Sequence, residues 1–527
     1  MTLSWTHPWE LPGRWTPAPA CEPESTQEAP PERHTPEVSG AAAEAAAAQS
    51  ATSQEAGVQV PEPEWHGTAG GERLFPDPWP AYGVLRFSPD EGLRIEAFGP
   101  SGDLFAVPAS FALWGETLNG RRCSLLPARI EHERGSLGAH ATREVVGDVF
   151  ALGVHLRDLA ELRIDRARLR FPGLREFLWH PHGGPVGLAE QERSAGDEAV
   201  FARDVAVPGA RLTFRLAWEG RDGVHDRVRT RPGEVEVVLD KPAAFETWMR
   251  EWLRPLRDLL VFAMREPSRT DGFIALFEEE AEPLWWKPDA PPRTETREVE
   301  IVQRESLLLL DAPRWNYRRL LFSLGELGEL GDEANAALSK WFEMHRRLEP
   351  TAEFLFGALN TRLQLENAVL NLTSAAEGYH RAFHDEHALT AGRHAEVSKA
   401  MLAQCETDEE RKVYRSPIEH ANEPSQRRRL TLLYRRAATL LPQSSAATTA
   451  HVNQLVETRN YFVHQDVRHE HVRDGDDLGL LLQRLVMVLQ ANLLLDLGWP
   501  KERAATILRR SYEGQRVLGI VEAERPC

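Results

Sequence analysis

The residues best suited to chemistry lie together in one stretch, 451–466, which reads HVNQLVETRNYFVHQD. Val452, Leu455, Val456, Phe462 and Val463 form an apolar stripe at helical spacing, and Arg459, seven residues after Val452, falls on that stripe where a hydrophobe is normal. Burying an unpaired guanidinium is costly, so Arg459 must find an acidic partner, a polar cleft or an anionic ligand. Asn460 and His464 are four apart and share a helix face. Arg459 and His464 are five apart, a rotation of about 140° on an ideal helix. The pair converges only if the helix ends near His464, or if two copies of the segment face each other.

Other candidates surround this stretch. Glu377, on a predicted long helix, is a possible ion-pair partner for Arg459 across a bundle, although a solvent-facing Glu is the commoner arrangement. Residues 411–436 carry a net charge of +6, with Arg427, Arg428, Arg429, Arg435 and Arg436 at the end of the run. Such a face would neutralise a nucleic-acid backbone and bind in a salt-sensitive way, or else be an ordinary solvated helix surface. His380, His384 and His387 are spaced i, i+4 and i+7, which could hold zinc, but the order is not HExxH and surface histidines fit better. No metal or cofactor is expected. There is no GxxxxGK[ST] loop and no GxSxG elbow, and Gly325, Gly328 and Gly331 do not make a dinucleotide fingerprint.

The elements that must position these residues change character along the chain. Residues 16–70 are rich in Pro, Ala, Glu, Ser and Thr, with an alanine run at 41–48, and have too few large apolar residues to repay ordering. From about 79 to 239, short alternating apolar runs at 82–87, 92–97, 145–156, 162–171, 211–218 and 234–239 predict a mainly antiparallel, sandwich-like sheet. A helix is expected over 242–264, where Phe245, Trp248, Trp252, Leu256, Leu259 and Leu260 form a stripe, followed by a second β-like run at 296–310. Helices are expected over 332–348, 351–384, 393–405, 424–441, 447–464, 476–497 and 501–518, punctuated by prolines. The expected class is α+β and multidomain: a β-rich region over 79–310 and a helical bundle over 311–527, the bundle forming a separate folding unit.

Length and composition agree with that division. The 527 residues suggest roughly three segments. At 42% hydrophobic and 27% charged, the composition excludes collagen-like and fully disordered classes. Four cysteines, Cys21, Cys123, Cys405 and Cys527, lie far apart with no CxxC pair, so neither a disulfide framework nor a cysteine zinc site is encoded. No basic n-region with an apolar h-region opens the chain. The most span-like stretch, 478–499, contains Gln483, Arg484, Gln490, Asn492 and Asp496, and reads as a core helix. A cytoplasmic protein without a membrane partner is expected. The net charge is −18, yet residues 1–80 account for half of it, and 301–527 carry only −2, so the C-terminal region is free to present basic faces.

Arg459-Asn460-Tyr461-Phe462-Val463-His464 resembles the RxxxxH motif of HEPN domains, with a polar residue directly after the Arg and a late helix of a small bundle as its setting. Upstream, Gly83-Val-Leu-Arg-Phe87, Pro89-Asp-Glu-Gly92 and the run 93–98 resemble the first strands of the N-terminal domain of ApeA-type proteins. Trp114-Gly-Glu116 with the run 120–125 looks like that domain's next strand pair. The family's Trp-x-Pro strand has a candidate in residues 13–17, displaced by a low-complexity insertion at 16–78, so residues 1–15 are a possible first strand.

The resemblance implies a metal-independent endoribonuclease of antiphage defence by abortive infection, with the β-rich domain as sensor or regulator and host tRNA as the expected substrate. It implies that His464 moves protons during attack by the ribose 2′-hydroxyl. Arg459 would stabilise the phosphorane-like charge, and Asn460 would orient the phosphate or the imidazole. Because one motif offers one imidazole, it also implies a homodimer or higher even oligomer, with RNA as substrate and a phage-derived trigger. The alternative is a non-catalytic bundle that dimerises or holds a nucleotide or RNA, with Arg459 as a structural ion.

Overall fold

The computed structural model describes residues 9–17, 81–88, 91–100, 109–135, 140–178, 201–216, 219–222, 227–230, 233–281, 293–303, 320–328, 332–361, 363–384, 387, 389–464 and 469–517. The expected disorder at 16–78 therefore falls, from residue 18 onward, outside the described residues.

The N-terminal half is built from antiparallel strands: β1 (Trp9–Pro17), β2 (Ala81–Ser88), β3 (Gly92–Pro100), β4 (Phe111–Thr117), β5 (Arg122–Gly135) and β6 (His140–Leu152). Their order is β3-β2-β1-β4-β5-β6, and β3 pairs again with β6, so these six strands close on themselves. Alternation dictates the closure. In β2, Gly83, Leu85 and Phe87 are buried while Tyr82 and Arg86 face out, and in β3 Leu93, Ile95 and Ala97 are buried. On the outer face Arg86 bridges Glu10 and Glu96 at 3.0 and 2.9 Å, exposed pairs that contribute little.

β1 is integral to this barrel. It pairs with β2 on one side and β4 on the other, and Trp15 is fully buried, donating from Nε1 to the Gly83 carbonyl at 3.3 Å. The indole lies so close to Gly115 that an added Cβ there would come within 2.4 Å of the ring. The Trp-x-Pro segment ahead of the low-complexity stretch is thus the barrel's missing strand.

The sheet continues from β6 through β7 (Arg163–Arg170), β8 (Phe201–Val207), β9 (Ala210–Leu216), β12 (Gly233–Ala244), β13 (Gly272–Ala281) and β14 (Arg293–Gln303), in the order β6-β14-β13-β7-β12-β9-β8. A separate two-stranded ribbon pairs β10 (Glu219–Asp222) with β11 (Arg227–Thr230). A short helix α1 (Leu174–Leu178) follows β7. The helix expected from 242 begins instead at Phe245, because β12 runs on to Ala244 through an irregularity after Val238. This helix, α2 (245–264), contains a π turn at Met249–Leu253 just before Pro255, which has no N–H to continue a regular ladder. Trp248 anchors it by donating to the Ile164 carbonyl at 2.7 Å and meeting Phe273 edge-on.

The C-terminal half is helical: α3 (Leu324–Gly328), α4 (Asp332–Leu348), α5 (Thr351–Asn360), α6 (Leu365–Phe383), α7 (Ala391–Leu402), α8 (Asp408–His420), α9 (Gln426–Ala437), α10 (Ser445–His464), α11 (Gly475–Asp496), α12 (Lys501–Arg510) and α13 (Tyr512–Val517). The predicted helix over 351–384 is broken into α5 and α6. Thr361 is extended, and the buried Asn360 carboxamide accepts a 2.8 Å bond from the Ser268 backbone. The predicted helix over 501–518 likewise breaks at Ser511, and α8, which contains Pro417, was not anticipated. α11 is long and apolar enough to cross a membrane by length and composition, and 67% of its most apolar window is buried within the fold.

The bundle, expected as a separate folding unit, packs directly against the sheet region. The apolar core is continuous from Trp15 in the barrel to Leu508 in α12. Phe262 of α2 stacks on Trp341 of α4 at 5.7 Å, and the Trp341 indole donates to the Pro255 carbonyl at 2.8 Å. Asp258 and His345 meet in this seam at 2.8 Å with both side chains buried. Burial alone would raise the Asp258 pKa, but the adjacent Arg257 guanidinium and His345 outweigh it and hold the carboxyl below its ordinary range.

Candidate functional site

α10 presents the Arg459 segment at its C-terminal end. Val452, Leu455, Val456 and Thr458 are buried, and Phe462 packs against the core from a half-buried position. Arg459 and Asn460 are half-buried, whereas Val463 and His464 are exposed. The helix ends at His464, the condition under which an Arg and a His five residues apart can serve one locus.

Arg459 Nη1 donates to Asn460 Oδ1 at 3.2 Å. Among the described residues it forms no ion pair. Of the three outcomes open to a guanidinium on a packing stripe, the acidic partner is the one the described structure does not supply. Glu377 does not fill that role: its Oε1 accepts from Gln426 Nε2 at 2.7 Å, fastening α6 to the start of α9. After the helix, Arg473 returns to it, its backbone N–H donating to Thr458 Oγ1 at 3.0 Å beside the buried Val472. Sequence reading missed this contact. A Thr inside a helix carries no signal that its hydroxyl will tether a loop fifteen residues on.

The basic run on α9 divides in two. Arg427, Arg428 and Arg435 are exposed, with Arg427 donating to Asn453 Oδ1 on α10. Arg429 and Arg436 are structural instead. Arg429 is buried against Glu423 at 2.7 Å and the Pro424 carbonyl at 2.8 Å. Arg436 grips Asp496 with both terminal nitrogens, one at 2.8 Å, and Tyr379 donates its hydroxyl to the same carboxylate. Burial would raise the Asp496 pKa, but these two partners hold it below the ordinary value. These two arginines are thus removed from the expected RNA-facing set, because each is held by a half-buried carboxylate.

The histidine run does not form a shared ligand face. His380 is buried, its ring 5.3 Å from that of His384, and burial together with the nearby positive groups lowers its pKa to about 4. Both of its ring nitrogens lack a hydrogen-bond partner among the described residues. α6 ends at Phe383, so His387 lies off the helix. Among the described residues, Glu131, His132 and Glu144 on the outer barrel do have ligand-like spacing, but Arg94 pairs with both carboxylates. On α10 itself, His451 is wedged between Gln443 and Arg484, each at 2.6 Å, and burial lowers its pKa to about 4. A guanidinium can only donate, so His451 Nε2 accepts from Arg484 Nη1. This imidazole is built to stay neutral, unlike one that must exchange protons with a substrate.

Two family models match the chain. ApeA N-terminal domain 1 spans residues 73–341, and Apea-like HEPN spans residues 370–503. The chain belongs to the ApeA family, with an ApeA N-terminal domain followed by an Apea-like HEPN domain. The HEPN match contains α10 with Arg459, Asn460 and His464, and the match to the ApeA N-terminal domain contains the barrel from β2 onward, the extended sheet, α2 and more than half of α4. No curated protein and no solved structure matches the chain. HEPN domains are generally ribonucleases that commonly dimerise and bind RNA, and the ApeA-like members form a family of antiphage defence nucleases.

Proposed function

We propose that this protein is a metal-independent endoribonuclease of antiphage defence, acting in the cytoplasm on host tRNA to abort infection. The observation that carries this reading is Arg459: a half-buried guanidinium with no carboxylate partner among the described residues, five residues before an exposed His464 at the end of the same helix. A phosphodiester supplies the missing negative charge. In the proposed reaction the ribose 2′-hydroxyl attacks the adjacent phosphorus, His464 moves a proton, and the 5′-oxygen leaves, giving a 2′,3′-cyclic phosphate and a 5′-hydroxyl end. The Arg459 fork meets the non-bridging oxygens as they gain charge, a match that a lysine ammonium cannot make bidentately. Asn460, bonded to Arg459, orients that fork.

Each chain offers one such imidazole, so a separate general acid and general base call for two copies with their α10 ends facing. The exposed Val463 beside His464 is consistent with such an interface. Arg427, Arg428 and Arg435 would then guide the RNA backbone, and the ApeA-type domain would sense or restrain in response to a phage-derived trigger.

The experiment is cleavage of total tRNA by the purified chain in chelator-containing buffer, with sequencing of the new 5′-hydroxyl ends. His464→Ala should lower the rate by about 100- to 10,000-fold, and Arg459→Ala by about 100- to 1,000-fold. If cleavage by the His464→Ala chain matched that of the unaltered protein, the catalytic reading would fail and a purely RNA-binding or dimerising bundle would replace it.

A further inference from the structure

Where the ApeA-type region meets the HEPN bundle, a cleft of about 570 Å³ opens between α5, α6, α11 and α13, with Arg265 at the end of α2 as its wall on the N-terminal side. That volume lies in the range of small-molecule sites. One side is apolar, formed by residues such as Leu365, Leu372 and Val486, and Leu365 is 37% exposed. The other side is polar, and its groups differ in how well they are satisfied. Arg265 is saturated, bonding Glu513 at 2.8 Å, Ser511 at 3.1 Å and the Gln490 carboxamide, so it neutralises the Glu513 carboxylate that also lines the cleft. Arg516 and Gln483 are not satisfied. Among the described residues Arg516 has no ion pair and its buried Nε no acceptor, while the buried Gln483 Oε1 has no donor. Gly479, also lining the cleft, leaves a bare stretch of helix: a Cβ added there meets no atom within 4 Å.

An apolar wall and a cation without a counter-ion among the described residues together specify a complement. We infer that this cleft binds a small amphipathic carboxylate, its apolar body along Leu365, Leu372 and Val486 and its anionic head on Arg516. Because the walls come from both halves of the chain, an occupant bridges the seam between them. The site stands apart from the chemistry assigned to α10.

The test is isothermal titration of the full chain with N-decanoylglycine, which carries an acyl chain, one amide N–H and a carboxylate, alongside its uncharged methyl ester. The unaltered chain should show saturable one-site binding of the acid, with the ester weaker by about tenfold or more, the loss expected for one charge-assisted contact. Gly479→Phe should abolish binding by filling the cleft. Arg516→Gln, at a half-buried position that does not threaten folding, should weaken it about tenfold. Absence of saturable binding to the unaltered chain, equal affinity for acid and ester, or undiminished binding by the Arg516→Gln chain would each overturn the assignment.

Discussion

Arg459 and His380 are both polar groups on helix faces that pack, yet they resolve the cost of burial in opposite ways. Arg459 lies half-buried near a helix end, within reach of solvent, whereas His380 is sealed in and stays neutral. The lowered pKa of His380 has a consequence for stability. The unfolded chain takes up its proton near the ordinary imidazole value and the folded chain only near 4. Between those values the unfolded state holds more protons, so stability is intact above about pH 6.5 and declines as pH falls towards 4. His451, with its pKa also lowered to about 4, adds to the same decline. Urea midpoints measured from pH 7.5 to 4.5 should fall accordingly. His380→Phe, which removes two unpartnered nitrogens at similar volume, should flatten that slope and leave neutral-pH stability unchanged or raised by about 1 kcal/mol. At the motif itself, Arg459→Lys should behave almost as Arg459→Ala in tRNA cleavage, because charge is retained but the planar fork is lost. Near-full activity of the lysine variant would show that simple charge is enough.

At the scale of elements, glycines separate where helices need space from where they merely have it. Gly378 on α6 faces α5 so closely that an added Cβ would lie 2.1 Å from Thr351 Oγ1 and 3.1 Å from its Cβ. Gly378→Ala should therefore destabilise the protein by about 1–3 kcal/mol through overpacking. Gly479 on α11 has open space, so Gly479→Ala should stabilise by about 0.5–1 kcal/mol from helix propensity alone. Chemical denaturation of both variants tests the pair, and a shift of the same sign in each would contradict the packing described here. The stripes of 332–348 and 447–464 were legible because apolar periodicity and the helix-starting residues lie within the segment itself. The break between α5 and α6 was not, because it depends on Asn360 bonding a backbone group ninety-two residues away. β13 escaped notice for a similar reason. Its run Gly272–Ala281 carries three glutamates near its end, which belong to a strand only because β14 pairs alongside, with Thr296, Glu295 and Thr294 opposite them.

At the scale of the whole molecule, Arg265 links the two halves. Arg265 caps α2 in the left-handed region, with φ of 56°, and its guanidinium is buried among Ser511, Glu513, Met487 and Gln490 of the bundle. Asp258 of α2 adds a second tie, meeting His345 of α4 at 2.8 Å with both side chains buried. Arg265→Ala removes the 2.8 Å ion pair with Glu513 and should cost about 3 kcal/mol or more. Calorimetry should then show the single transition of the intact protein broadening or splitting as the seam loosens. A sharp transition at the original temperature would mean that the apolar core, not this ion pair, joins the halves.

The sequence by itself determined the division into a β-rich and a helical region, the class of most elements, the family, and the helix that bears Arg459, Asn460 and His464. Those properties follow from periodicity and short motifs, which are local. Tertiary structure decided that β1 closes the barrel across the low-complexity segment, that Arg429 and Arg436 are internal ties while Arg427, Arg428 and Arg435 stay exposed, and that Arg459 has no carboxylate among the described residues. Charge type is written in the chain, but whether a charge is satisfied depends on what folds against it from far away, and that information exists only once the chain has packed.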